Sequence, residues 1–270
     1  MVKKLFKHEM QYYIRSLLPV FIVLGGVALI GRFIAFFEAE TTAYTILRVS
    51  SVTMLIISSI AAIGMSLLFC IIRFYKNLFT GEGYLTMTLP VTSRAHILVK
   101  LAAALIANLA AVLAVIVAVC IFTLGDWLIE LIKAGVYIWK DVAANFDGHF
   151  GWYVLEAVPM LLMAICMQLM LYYMCICVGQ LARKNRVIAA VGVYFGLYVI
   201  TQIISTILVV IVSISNIAER IGEFLEGLTK QEMLSLGHWM IWGMFAFFGL
   251  MAVVYYAVSK HIMTKRLNLE

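Results

Sequence analysis

Polar positions are so sparse along this chain that they punctuate long apolar runs. Apolar stretches occupy about residues 17–37, 49–72, 95–124, 152–181, 187–215 and 237–259. Each meets the roughly 20 residues a helix needs to cross hydrocarbon. None shows the two-residue alternation, over about 10 residues, of a membrane-barrel strand. The pattern predicts an all-α integral membrane protein, with six transmembrane helices in one domain covering residues 1–270.

The segments between the runs differ in character. Residues 1–16, MVKKLFKHEMQYYIRS, set Leu5, Phe6, Met10, Tyr13 and Ile14 at helical spacing among lysines. That spacing predicts an interfacial helix before the first span. The apolar run after it is too long for the core of a signal peptide, and no small-x-small cleavage site follows, so it reads as an anchor that stays. Arg32 lies near the far end of the first span, and Glu38 and Glu40 form a short acidic loop. Residues 125–151 mix charges with Trp127, Leu131, Tyr137 and Trp139, which predicts a short amphipathic helix on the opposite membrane face. Residues 216–236 form a second such segment, this one acidic. Pro159 in the fourth span predicts a kink or a helix start.

Composition agrees with the pattern. Hydrophobic residues make up 64% of the chain and charged residues 13%, against about 25% charged in a soluble domain. Six spans put both termini on one side. That side holds 14 of the 20 basic residues beside three acidic ones, whereas the other holds 6 basic and 11 acidic. The positive-inside bias therefore predicts a multi-pass protein of the plasma membrane with both termini cytoplasmic. The basic excess reports topology, and it gives no reason to expect a nucleic-acid partner.

The chemistry-bearing residues exclude more than they suggest. Cys70, Cys120, Cys166, Cys175 and Cys177 all sit in apolar runs, and Cys175 and Cys177 would point about 200° apart on a helix. They read as small hydrophobes. A phosphate-binding G-x-x-x-x-G-K-[ST] is absent, so the chain has no ATP site of that kind. His8-Glu9 lacks the second histidine of a zinc protease motif. Asp126 stands at the outer end of a span with no second aspartate inside the bilayer. The chain is not expected to be an enzyme or to hold a metal or cofactor. Asn108, Gln168 and Gln202 are uncharged polar residues in mid-span; they either hydrogen-bond between helices or line a translocation path. Ala189, Gly192 and Gly196 form a small face, suited to packing within one subunit or to a subunit interface. The alanines at 103, 107, 111, 114 and 118 form a stripe suited to internal packing. Neither an internal repeat nor a pair of broken helices points to a secondary transporter.

One stretch remains, RFYKNLFTGEGYLTMTLPVTSR at 73–94. It is the longest polar interruption on the predicted cytoplasmic side. Phe74, Tyr75, Leu78, Phe79, Tyr84, Leu85, Met87 and Leu89 nonetheless make it too apolar for a solvated linker. A short amphipathic helix offering a surface to a partner fits better. Arg73 and Lys76 suit either acidic groups on such a partner or lipid phosphate.

Within it, EGYLTMTLPV at 82–91 resembles the first cytoplasmic loop of permease subunits of type-2 ABC exporters from Gram-positive bacteria, with the pattern E-G-Y-L-T-x-T-L-P-V. The likeness extends over most of the chain, from the interfacial N-terminal helix through six spans to cytoplasmic termini. It implies that the loop is a coupling helix docked on a separate cytosolic ABC ATPase subunit, which carries ATP and Mg. By position, Phe74–Pro90 becomes the docking segment, with Glu82, Tyr84 and Leu85 at its centre and Phe74, Tyr75, Leu78, Phe79 and Met87 around them. The resemblance also implies a pair of permeases, as a homodimer, around the path. The cargo it implies is amphipathic, a cytolytic or antimicrobial peptide first and a lipid second. The chain departs from exporters that hand cargo to a periplasmic adaptor, because it shows no large soluble extracellular domain. A different class of reading is a non-transporting membrane scaffold or sensor that holds a cytosolic partner through the same stretch.

Overall fold

The computed structural model describes residues 2–37, 41–79, 92–182 and 184–265. They form eight α-helices and, among the described residues, no strand. These are α1 (Val2–Phe36), α2 (Thr42–Phe79), α3 (Ser93–Phe122), α4 (Asp126–Asn145), α5 (Phe150–Gly179), α6 (Arg186–Ile214), α7 (Ile217–Glu226) and α8 (Lys230–Lys265). Six of them, α1, α2, α3, α5, α6 and α8, are long and apolar enough to cross a membrane. The protein is an all-α, multi-pass membrane protein.

The helices outrun the apolar stretches that announced them. In α1, Glu9, Tyr13, Leu17, Leu24, Ala28, Gly31 and Ala35 are buried at spacings of three, four or seven residues. That single unbroken stripe keeps residues 2–36 in one helix, so no turn separates the expected interfacial segment from the first span. Its 35 residues reach about 52 Å at 1.5 Å per residue, well beyond the roughly 30 Å of hydrocarbon. Pro19 lies inside the helix on its exposed side. Similarly, α2 continues to Phe79, so residues 73–79 are its last turns and not part of a loop. Pro159 lies inside α5, which starts at Phe150.

The chain divides into two compact units, residues 1–140 and 141–270. In the first, α1 packs on α3 and α2, and α2 packs on α3. Leu24, Ala28, Leu55, Ala62, Ala118 and Phe122 form one core cluster. Small residues set the spacing: Ala103, Ala107, Ala111 and Ala118 are buried on α3, and the Phe122 ring fills the space that a Cβ on Gly31 would need. Lipid tails are as apolar as leucine, so helices in a bilayer gain from close contact more than from burial itself. Thr92 caps α3, its hydroxyl accepting from the Ala95 amide at 3.4 Å.

In the second unit, α5 packs on α8 and α6, and α7 touches α6. The acidic segment expected at 216–236 is divided between α7 and the first turns of α8. A capping box marks the division. The Thr229 amide and hydroxyl both donate to Glu232 Oε2, at 2.9 and 2.7 Å, and the Glu232 amide approaches Thr229 Oγ1 at 3.4 Å. Reciprocal bonds of this kind satisfy amides that a helix start otherwise leaves bare. In α6 no residue is buried.

Candidate functional site

Among the described residues, each unit holds a constellation of charged or titratable side chains joining different helices. The first joins three helices. Glu9 of α1 is 1% exposed, and both its oxygens are engaged: Lys100 Nζ of α3 donates to Oε1 at 2.6 Å, and Arg73 Nε of α2 donates to Oε2 at 2.9 Å. The Arg73 guanidinium also lies 4.4 Å from the centre of the Tyr12 ring, within reach of a cation–π attraction. A buried carboxylate loses several kcal/mol of hydration, and only close cations and hydrogen bonds make its burial tolerable. One turn before Lys100, His96 is buried with neither ring nitrogen hydrogen-bonded.

Arg73 and Lys100 belong to the two helices that flank residues 80–91. The end of α2 leading into that stretch and the start of α3 leaving it are therefore both tied to the N-terminal turns of α1. Of the residues predicted to dock a partner, Phe74, Leu78 and Phe79 are buried against their own chain and Tyr75 is half-buried. The Phe74 and Phe79 rings meet edge to face at 6.0 Å. Glu82, Tyr84, Leu85 and Met87 lie outside the described residues.

The mid-span polar residues occupy three different environments. Asn108 is buried, its Nδ2 donating to Ala104 O at 2.8 Å and reaching Cys70 Sγ at 3.4 Å, while Ser66 Oγ donates to its Oδ1 at 2.8 Å. It links α2 to α3. Asn108→Ala should cost about 1 kcal/mol, the usual worth of such a bond between membrane helices, read as an earlier unfolding midpoint of the detergent-purified protein. Gln168 is half-buried and Gln202 is exposed on α6. Gly192 and Gly196 are exposed, with open space where a Cβ would stand. Of the free cysteines, Cys70, Cys175 and Cys177 are buried, Cys166 is half-buried and Cys120 is exposed.

The second constellation lies at the N-terminal ends of α5 and α8. His238 Nδ1 is 2.7 Å from Glu156 Oε2, and His238 Nε2 is 3.2 Å from Nδ1 of His149, the residue preceding α5. Tyr153 stacks flat on His238, with centroids 4.3 Å apart and planes 9° from parallel, and its hydroxyl donates to Leu234 O. Among the described residues no group of three or more His, Cys, Asp or Glu could hold a metal ion.

Comparison with protein-family models, curated proteins and solved structures finds no match to this chain. Neither constellation stood out in the sequence. Glu9 carried a signal all the same: it lies four residues before Tyr13 and eight before Leu17, on the face that becomes the buried stripe. The Glu156–His238–His149 chain had none, because its central member, His238, stands 82 and 89 residues from its two partners.

Proposed function

We propose that this chain is the permease subunit of an ATP-driven type-2 ABC exporter in the plasma membrane, with both termini cytoplasmic. The observation that carries the reading is EGYLTMTLPV at 82–91 between the second and third of six spanning helices. ATP and Mg belong to a separate cytosolic ATPase subunit that docks on this stretch. Burial of Phe74, Leu78 and Phe79 within their own chain leaves docking to Tyr75 and to the motif itself, with Glu82, Tyr84, Leu85 and Met87 as anchors. A cassette that closes on ATP moves a membrane subunit only through an element it grips. The ties from Glu9 to Arg73 and Lys100 support a rigid route from that grip into three helices.

The small face of half-buried Ala189 and exposed Gly192 and Gly196, with open space above both glycines, supports a second permease copy as partner. The cargo is amphipathic, because the mid-span polar residues are uncharged; that it is a cytolytic or antimicrobial peptide before a lipid rests on the resemblance alone. The competing reading is a non-transporting scaffold or sensor that holds a cytosolic partner by the same stretch.

The deciding experiment is co-purification with candidate ABC ATPase subunits, followed by ATP hydrolysis with and without amphipathic peptides. Hydrolysis that responds to peptide supports export; hydrolysis that responds to lipid alone reassigns the cargo. A stable complex with no coupled hydrolysis favours the scaffold. Glu82→Lys and Tyr84→Ala should leave the permease in the membrane yet weaken ATPase association by about 1–4 kcal/mol, the range for interface anchors. Wild-type association in both variants would move the docking site elsewhere.

A further inference from the structure

The chain Glu156–His238–His149 is held in line by hydrogen bonds, and the bond between its two imidazoles has a fixed proton capacity. The facing atoms, His238 Nε2 and His149 Nδ1, are 3.2 Å apart. A contact of that length between ring nitrogens holds one proton, with one nitrogen donating and the other accepting. When both rings are neutral, His238 donates from Nδ1 to Glu156 and accepts at Nε2 from His149. When one further proton arrives it enters at His149 Nε2 and the shared proton crosses to His238 Nε2, so that His238 becomes an imidazolium, donating to Glu156 on one side and to His149 on the other. That state keeps every bond and adds a charge-assisted pair to the carboxylate. A second further proton places N–H against N–H, and the contact must open.

We infer that Glu156, His238 and His149 form a proton-operated latch between the N-terminal ends of α5 and α8, closed with up to one added proton and opened by two. The surroundings leave the decision to these groups. Asp147 and Lys230 are exposed and pair with each other at 2.7 Å. Glu232 is engaged by Thr229 at the cap of α8. Tyr153 supplies a stacking face and directs its hydroxyl to a backbone carbonyl. Residues 199–214 of α6 carry no titratable side chain. A charged His149 would also stand at the N-terminus of α5, where the helix dipole is already positive. The latch is partly accessible, with side-chain exposures of 22% for His238 and 16% for Glu156, and it lies beside the ends of its two helices. The effect of acid is therefore two-signed: the first proton tightens the joint and the second releases it.

The test uses the full chain in detergent and needs no ATPase, so its outcome is independent of the exporter reading. Imidazoles take up protons between about pH 5 and 8. Amide hydrogen exchange of wild type, His149→Gln and His238→Gln is compared at equal pH, at both ends of that range. Glutamine in place of His149 offers the same bond and never charges. At the acid end, peptides covering 146–158 and 232–242 should exchange severalfold faster in wild type than in His149→Gln. At the alkaline end the two should match. His238→Gln should exchange fast at both, because a single amide cannot bridge Glu156 and His149 as the two nitrogens of the ring do. Equal acid-end exchange in wild type and His149→Gln would overturn the latch. A second measurement requires no variant: nitrogen NMR of histidine-labelled wild type should show His149 and His238 titrating as a coupled pair in two steps. Two independent single-step curves would overturn it as well.

Discussion

Glu9→Gln should destabilise the folded protein by about 3–5 kcal/mol, the penalty for breaking a buried ion pair by removing one partner. Glu9 and Lys100 are each 1% exposed, so little water is at hand to compensate. The substitution keeps the shape of the side chain and removes only the charge that Lys100 Nζ meets at 2.6 Å and Arg73 Nε at 2.9 Å. Denaturant titration in mixed detergent micelles would read the loss as an earlier midpoint. Lys100→Met alone should also destabilise, because it takes one of two cations from a buried carboxylate. The double variant should be less damaged than the two single effects predict when added, since the pair vanishes together. Strict additivity would mean that the Glu9–Lys100 contact carries no interaction energy.

Gly179→Val should have the next largest effect, about 3 kcal/mol, at the upper end of what overpacking a close contact costs. A Cβ at Gly179 would stand 2.6 Å from both the backbone and the Cβ of Ala190. Side chains can swing away from such a clash, but the backbone of a helix cannot. Relief therefore requires α5 and α6 to separate where they meet. Gly192→Val is the control: a Cβ there meets open space, and the monomer should keep its stability. Equal losses in the two variants would show that the cost arises from helix propensity rather than from the contact.

The functional consequences of these two positions differ. Glu9 joins the helices on either side of the proposed docking stretch, so a partial loss there should loosen the route into the membrane before the fold gives way. Gly179 ends α5, whose opposite end carries the histidine latch, and its packing on Ala190 is a matter of fit alone.

The class of this protein was legible in the order of its residues. Six apolar runs longer than the hydrocarbon thickness leave no other way to satisfy backbone hydrogen bonds in a membrane than helices, and six helices are what the chain forms. The alanine stripe was legible for the same reason, because helical periodicity alone places 103, 107, 111 and 118 on one face. Helix ends were less so. Hydropathy marks where hydrocarbon stops, whereas a helix stops where its hydrogen bonds and buried stripe stop. Hence α1 begins at Val2, α2 runs on to Phe79, and a capping box at Thr229 starts α8 before its apolar run. Residues 2–16, within the stretch expected as an interfacial helix before the first span, run on into that span for the same reason. Phe74, Leu78 and Phe79 looked like anchors for a partner because apolar residues beside a polar loop carry no label saying what covers them, and their own helices do. The two polar constellations were decided by tertiary structure alone. Glu9 meets Arg73 and Lys100 across 64 and 91 residues, and His238 meets Glu156 and His149 across 82 and 89. Local periodicity can say which face of a helix a charge occupies, but only the packing of that face against other helices says which charge it meets.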